Sequence, residues 1–253
     1  MKLLQLLYTP FLKARGNRGL IRKRDTRDYP DEQFGLSLLF PYKTKQENLS
    51  HFKYQFDQNP YNFCTYAAGV LAASEQLGQR LSIRWVVRLA RKMGRITGDG
   101  FSDQRSVLDI LVKTGSVLYE AMPDEVNGMS WEEYSSWTPE CDRILSDEPK
   151  IKFTEYRKLR NERSILEALD NGYVVICASK WYQDMFNPFA PNFFLKMTGR
   201  PIGGHQYRVT GYRGNGADFE TPQTFGANFG DYGKGWMETT LGLKYYDNYI
   251  LIK

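Results

Sequence analysis

Only five side chains in the 253-residue chain carry a thiol or an imidazole: Cys64, Cys141, Cys177, His51 and His205. Cys64 stands where a polar loop, DQNPYNF, gives way to the apolar run CTYAAGVLAASEQ, at the expected first turn of a helix. His205 stands in GGHQYRVTGY, where two glycines allow close backbone approach and a strand begins. A cysteine at a helix start and a histidine at a strand start are together the parts of a thiol–imidazole nucleophile. A helix N-terminus favours negative charge, and so does a neighbouring imidazolium. Between them they can bring a thiol from a pKa of about 8.5 to roughly 3.5–7.5. The thiolate then attacks a carbonyl and the imidazolium protonates the leaving amine.

These residues need elements to hold them. Cys64, Ala67, Ala68, Leu71 and Ala72 recur at helical spacing, which predicts a central helix from about Phe63 to Leu77, capped by Asn62 and ended by Gly78. Ser82 is the expected cap of a second helix ending near Gly94, and Ser102 that of a third before Gly115. Residues 119–150 read as loop-rich and acidic. Asn161 to Asp170 reads as a short helix, and Asn171-Gly172 turns into the strand YVVICAS. HQYRVTGYR, ADFET, GWMETT and DNYILIK read as strands joined by glycine turns. Helices first and strands later imply an α+β fold whose two halves, about 55–150 and 151–253, meet along a cleft.

At this point the sequence resembles the papain-like cysteine peptidase family. Gln58 stands six positions before Cys64, as in the family's Q-x5-C arrangement, and CTYAAGVLAASEQ is similar to its nucleophile helix. LSIRWVVRLARKMG, GFSDQRSVLDILVKTGSVLYEAMP and RSILEALDNGYVVICAS follow in family order, and GGHQYRVTGY is similar to the histidine motif. His205 lies 141 positions beyond Cys64, within the roughly 130–150 residues expected of such enzymes. TPQTFGANFGDYGKGWM is similar to the family's asparagine loop. The resemblance implies a helical left subdomain, a β-barrel-like right subdomain and an active-site cleft between them. It implies Cys64 as nucleophile, His205 as acid and base, Gln58 as an oxyanion donor, and a covalent acyl-enzyme in peptide-bond hydrolysis. Substrate is expected to lie extended in that cleft, with aromatic walls from Phe63, Tyr66, Phe225 and Phe229, beside Gly203 and Gly204.

The chain departs from the family at several positions. Gln223 occupies the place of the family's asparagine, one methylene longer, and is expected to take the Nδ1–H of the imidazole through its amide oxygen. Phe225 stands for a shielding tryptophan, Thr65 for the tryptophan after the nucleophile, and Tyr61 for a disulfide cysteine of secreted members. An alternative is a papain-fold structural or binding component of a large assembly, such as a virus particle, with weak or no catalysis. A transpeptidase or amidase would use the same groups.

Composition sets outer bounds. Residues 1–28 hold eight basic and two acidic side chains, a charge of +6, and the other 225 residues sum to −1. The near-neutral body argues against a nucleic-acid footprint. The basic arm of residues 1–28 is left as a solvated tail, a tether for an acidic partner or a short inhibitory segment, ahead of a peptidase domain over 29–253. Met1 to Tyr8 makes no convincing signal peptide, and no apolar run reaches membrane length. Three scattered cysteines form no disulfide framework, which points to a cytoplasmic or other reducing compartment, with a virion as the alternative location. Cys141 and Cys177 are expected to be inert and His51 a surface loop residue. No zinc-ligand spacing occurs and no cofactor is implied.

Overall fold

The computed structural model describes residues 45–49, 51–159, 161–238 and 247–253; the basic arm of residues 1–28 lies outside them. Five helices occupy the first part: α1 Cys64–Leu77, α2 Ile83–Lys92, α3 Gln104–Lys113, α4 Trp131–Ser135 and α5 Pro139–Asp147. After them come β1 Glu155–Leu159, α6 Glu162–Asp170, β2 Val175–Tyr182, β3 Pro201–Val209, β4 Gly211–Arg213, β5 Asp218–Pro222, β6 Lys234–Glu238 and β7 Asn248–Ile252. None of the helices among the described residues is long and apolar enough to cross a membrane.

α1 is the centre of the helical half. Every residue from Cys64 to Glu75 is buried, as befits a helix that is apolar or small on all faces rather than on one stripe. Gly69 is the reason α3 can lie so close: a Cβ there would stand 2.7 Å from both methyls of Val107. The helix ends at Gly78, in the left-handed conformation (φ 68°) that closes it.

Three local expectations change on folding. Asn62 does not cap α1; its side chain donates to Asp99 at 2.8 Å, and Phe63 occupies the cap position without a side-chain bond. Ser102 does not cap α3, because its hydroxyl meets Tyr66 and the Arg95 carbonyl at 2.8 Å. Asp103, the next residue, accepts from the Arg105 N–H instead. The segment 119–150 is not simply loop. It holds α4, with a capping box between Ser130 and Glu133, and α5, which opens on Pro139. Ser82 does cap α2, accepting from the Trp85 N–H, and Asn161 caps α6.

The strands form two antiparallel sheets, in the order β1-β7-β2-β3 and β4-β5-β6. The right half is therefore a pair of sheets, and no closed barrel is found among the described residues. Two apolar cores result. One is built on α1 to α3 with Phe56, Trp85, Tyr134 and Ile144. The other fills the strand half around Trp181, Phe186, Tyr207, Phe225 and Phe229.

α1 and β3 face each other across the join. Arg208 on β3 and Glu75 on α1 are both fully buried and bond at 2.8 Å. Arg208 also donates to the Tyr54 carbonyl, and Glu75 accepts from the N–H groups of Lys53 and Tyr54. Burial pushes the Glu75 carboxyl up, while the Arg208 guanidinium pulls it back.

Candidate active site

The same join carries the chemistry-bearing residues. Gln206 of β3 donates to the Thr65 carbonyl of α1 at 3.0 Å. Its neighbour His205 and Thr65's neighbour Cys64 therefore belong to one neighbourhood, at the N-terminal end of the helix. Successive strand side chains alternate in direction. Gln206 and Arg208 reach toward α1, whereas His205 turns to the aromatic face of the strand half.

On that face His205 Nε2 lies 3.1 Å from Gln223 Oε1. The amide's orientation follows from its other end, where Gln223 Nε2 donates to the Thr221 carbonyl at 3.0 Å. A carbonyl accepts only, so the amide nitrogen must point there and the oxygen must face the ring. An amide oxygen also accepts only, so Nε2 carries the proton. The expected partner was Nδ1; the structure uses the other nitrogen. The tautomer thus has Nε2–H donating to Gln223 and leaves Nδ1 to exchange a proton.

The extra methylene of Gln223 is accommodated, since the amide reaches the ring at hydrogen-bond distance. Its backbone is held as well, with the Gln223 N–H donating to the Gly233 carbonyl at 2.8 Å. Phe225 stacks on the His205 ring, centroids 4.9 Å apart and planes 19° from parallel. Trp181 meets the ring edge-on at 4.6 Å. These rings exclude water from the His205–Gln223 bond, which strengthens it.

Gln58 is buried and held by two contacts. Its Nε2 donates to the Tyr61 carbonyl at 2.8 Å, and its Oε1 accepts from the Thr224 hydroxyl at 2.5 Å. The Gln58 N–H also donates to the Thr224 carbonyl at 2.9 Å. The segment that precedes the cysteine is thereby tied to the residue that follows Gln223. A cavity of about 470 Å³ lies alongside that segment, lined by Gln55, Asp57, Asn59, Arg80 and Glu125 among others; neither Cys64 nor His205 lines it.

The remaining expected residues are placed as follows. Phe63 and Tyr66 are fully buried in the helical core, not on a groove wall. Phe63 stacks on Tyr134 at 5.1 Å, and the Tyr66 hydroxyl is spent on Ser102. Phe229 is fully buried beside Phe225. Gly203 and Gly204 are half-buried on β3, opposite Trp181 and Lys180 of β2. Cys141 and Cys177 are buried, and burial pushes the Cys177 thiol far up. His51 is half-buried and donates to the Leu169 carbonyl of α6 at 3.0 Å. Sequence reasoning missed Thr224, Gln206 and Trp181. A buried polar residue beside a site residue is visible only once its partner is known.

No family model matches the sequence, and no curated protein matches it. Solved structures do match in shape. Xylellain, a cysteine protease from Xylella fastidiosa, superposes with a TM-score of 0.77 at 18% identity, covering 94% of this chain and 98% of that one. Procathepsin B S9 from Trypanosoma congolense gives 0.67 at 15% identity, over 94% and 87% of the two chains. The bromelain protease of Ananas comosus gives 0.64 at 15%, over 82% and 99%. Helices gathered around α1, two antiparallel sheets and near-complete superposition on these proteins establish that the chain has the papain-like cysteine protease fold.

Proposed function

We propose that the protein is a thiol hydrolase of peptide bonds, with Cys64 as nucleophile and His205 as proton carrier. The observation that carries this reading is the bond from His205 Nε2 to Gln223 Oε1 beneath the Phe225 ring. In this reading that bond orients the imidazole, and Nδ1 is the nitrogen that takes the thiol proton. The thiolate adds to the peptide carbonyl, and a C–S bond forms. The tetrahedral oxyanion accepts from the Cys64 N–H and from the Gln58 amide, whose second N–H is not used by Tyr61. Collapse breaks the C–N bond as imidazolium gives its proton to the leaving amine. Water, deprotonated by His205, then releases the acyl group. Losing one oxyanion donor in such a site costs about 3 kcal/mol.

The test is hydrolysis of a peptidyl aminomethylcoumarin amide. Wild type should turn it over, and Gln223→Ala should lower kcat/KM by ~10²-fold or more, because the ring loses its orienting acceptor. Gln223→Asn should fall between the two, its amide oxygen drawn back by one methylene. A Gln223→Ala variant within threefold of wild type contradicts the assigned role.

One observation favours a second reading, a papain-fold component of a larger assembly with little or no catalysis. Cys64 is fully buried and His205 only 1% exposed, so a polypeptide reaches the sulfur only if the site opens. Absence of hydrolysis together with an unreactive Cys64 decides for that reading.

A further inference from the structure

Gln206 is fully buried on β3, and its Nε2 donates to the Thr65 carbonyl of α1 at 3.0 Å. A carbonyl accepts only, so the amide nitrogen faces it and the amide oxygen points away. That oxygen makes no hydrogen bond within the protein. Thr65 does not need the donor for its own sake. Its carbonyl lies inside α1, where the Gly69 N–H four positions on is the helical partner. A buried amide left half-satisfied, bonded to a carbonyl already served, calls for an explanation other than stability.

Its place in the fold supplies one. Side-chain ties between α1 and the strands fall toward both ends of the helix. At the C-terminal end Glu75 bonds Arg208 of β3, and Gln76 Nε2 donates to the Leu251 carbonyl of β7 at 2.8 Å. At the N-terminal end stands Gln206, next to His205 on the strand and bonded to the residue next to Cys64 on the helix. Thr65 and Glu75 are roughly 15 Å apart along the helix axis, at a rise of about 1.5 Å per residue. Losing the Gln76 tie loosens the far end of the helix. Losing the Gln206 tie lets the end that carries the thiol move against the strand that carries the imidazole.

We propose that Gln206 is a positioning residue: through the Thr65 carbonyl it sets how close the start of α1 lies to the strand of His205, and so the strength of the thiolate–imidazolium pair. This rests on the hydrolase reading and deepens it. Gln206 acts through the backbone, because successive strand side chains alternate and His205 turns to the opposite face. The two charges of the pair favour each other: imidazolium holds the thiol pKa down, and thiolate holds the imidazole pKa up. A wider gap weakens both effects. The thiol pKa then rises, the imidazole pKa falls, and the active range narrows from both sides. A change that only reduces the folded fraction lowers the rate at every pH without moving either limb.

The experiment measures kcat/KM for a peptidyl coumarin amide from about pH 4 to about pH 10 in wild type, Gln206→Met and Gln76→Met, with urea unfolding of each. Methionine keeps the length of the side chain and removes the donor. Gln206→Met should keep the wild-type urea midpoint and lower kcat/KM at the optimum about 10-fold. Its acidic limb should move up, and its basic limb down, by about 0.5 pH unit or more. Gln76→Met, which removes a matching bond at the other end of α1, should leave both limbs in place. Gln206→Asn keeps a donor one methylene short; its limbs should lie between those of wild type and Gln206→Met, and it decides the case if the methionine variant does not fold. Unmoved limbs in the folded Gln206 variant, or equal narrowing in Gln76→Met, overturn the proposal and leave the hydrolase reading in place. If wild type does not hydrolyse the amide at any pH, the hydrolase reading itself fails, and this assignment with it.

Discussion

Cys64→Ser should lower kcat for a peptidyl amide by roughly 10⁴–10⁶-fold, the scale seen when a nucleophile acting as one unit with its base is removed. A serine hydroxyl ionises far less readily than a thiol, and a site that activates a thiol as an ion pair with imidazolium is not arranged to deprotonate serine in the transition state. The oxygen is close in size to the sulfur, so the buried start of α1 should tolerate it, and the unfolding free energy should stay within about 1 kcal/mol of wild type. Cys141→Ser and Cys177→Ala are the matching controls. Both of those thiols are buried, and their loss should leave kcat unchanged. Steady-state and single-turnover hydrolysis measure the effect. Retention of more than a hundredth of wild-type turnover in Cys64→Ser rules out Cys64 as nucleophile.

Removing one partner of the Arg208–Glu75 pair should be the most destabilising single change away from the site. Both side chains are fully buried and 2.8 Å apart, and the pair joins the helix that starts at Cys64 to the strand that carries His205. Glu75→Gln keeps the shape but strands the Arg208 charge in the interior, at a cost of about 3–5 kcal/mol. The double variant Glu75→Leu, Arg208→Met removes both charges and should recover most of that loss, since well-packed apolar residues replace a buried pair at little cost. Urea unfolding measures both variants. A Glu75→Gln loss below 1 kcal/mol, or a double variant no better than the single, means that the pair is not what holds the two halves together. In the proposed hydrolase the join connects the helix that starts at Cys64 to the strand that carries His205, so Glu75→Gln should also depress kcat under conditions where it stays folded.

The parts of the fold legible in the sequence were those with strong local signals. α1, α2 and α6 follow from periodicity with Gly78, Ser82 and Asn161 at their ends. β2 and β3 follow from their β-branched and aromatic content. What was not legible depended on competition between neighbours. Ser102 and Asp103 are both good caps; the first is drawn off by Tyr66 and Arg95, which leaves the second. α4 and α5 are short and polar, yet Ser130-x-x-Glu133 and Thr138-Pro139 were readable start signals. Phe63 and Tyr66 read as groove walls because they flank the cysteine. They are core because α1 is surrounded on every side.

At the candidate site, residue types and positions nominated Cys64 and His205, and the family resemblance added Gln223 and Gln58. Which imidazole nitrogen meets the amide was not accessible from order alone. It depends on the side from which Gln223 approaches the ring, and that is set by the Gly233 and Thr221 contacts. Thr224 and Gln206 hold Gln58 and α1 through bonds spanning 166 and 141 positions. No local pattern reports bonds of that range.

The most direct measurement is the rate at which iodoacetamide modifies each cysteine of the folded protein, read by peptide mass spectrometry from pH 5 to 8. All three cysteines are buried, at 0%, 0% and 4% exposure for Cys64, Cys141 and Cys177, so accessibility alone does not rank them. At pH 6 an ordinary thiol of pKa about 8.5 is less than about 1% ionised. The thiolate–imidazolium account predicts that Cys64 is alkylated well ahead of the other two at that pH, and that His205→Ala abolishes its lead. Equal rates at the three sites, or a lead for Cys64 that survives His205→Ala, would contradict it.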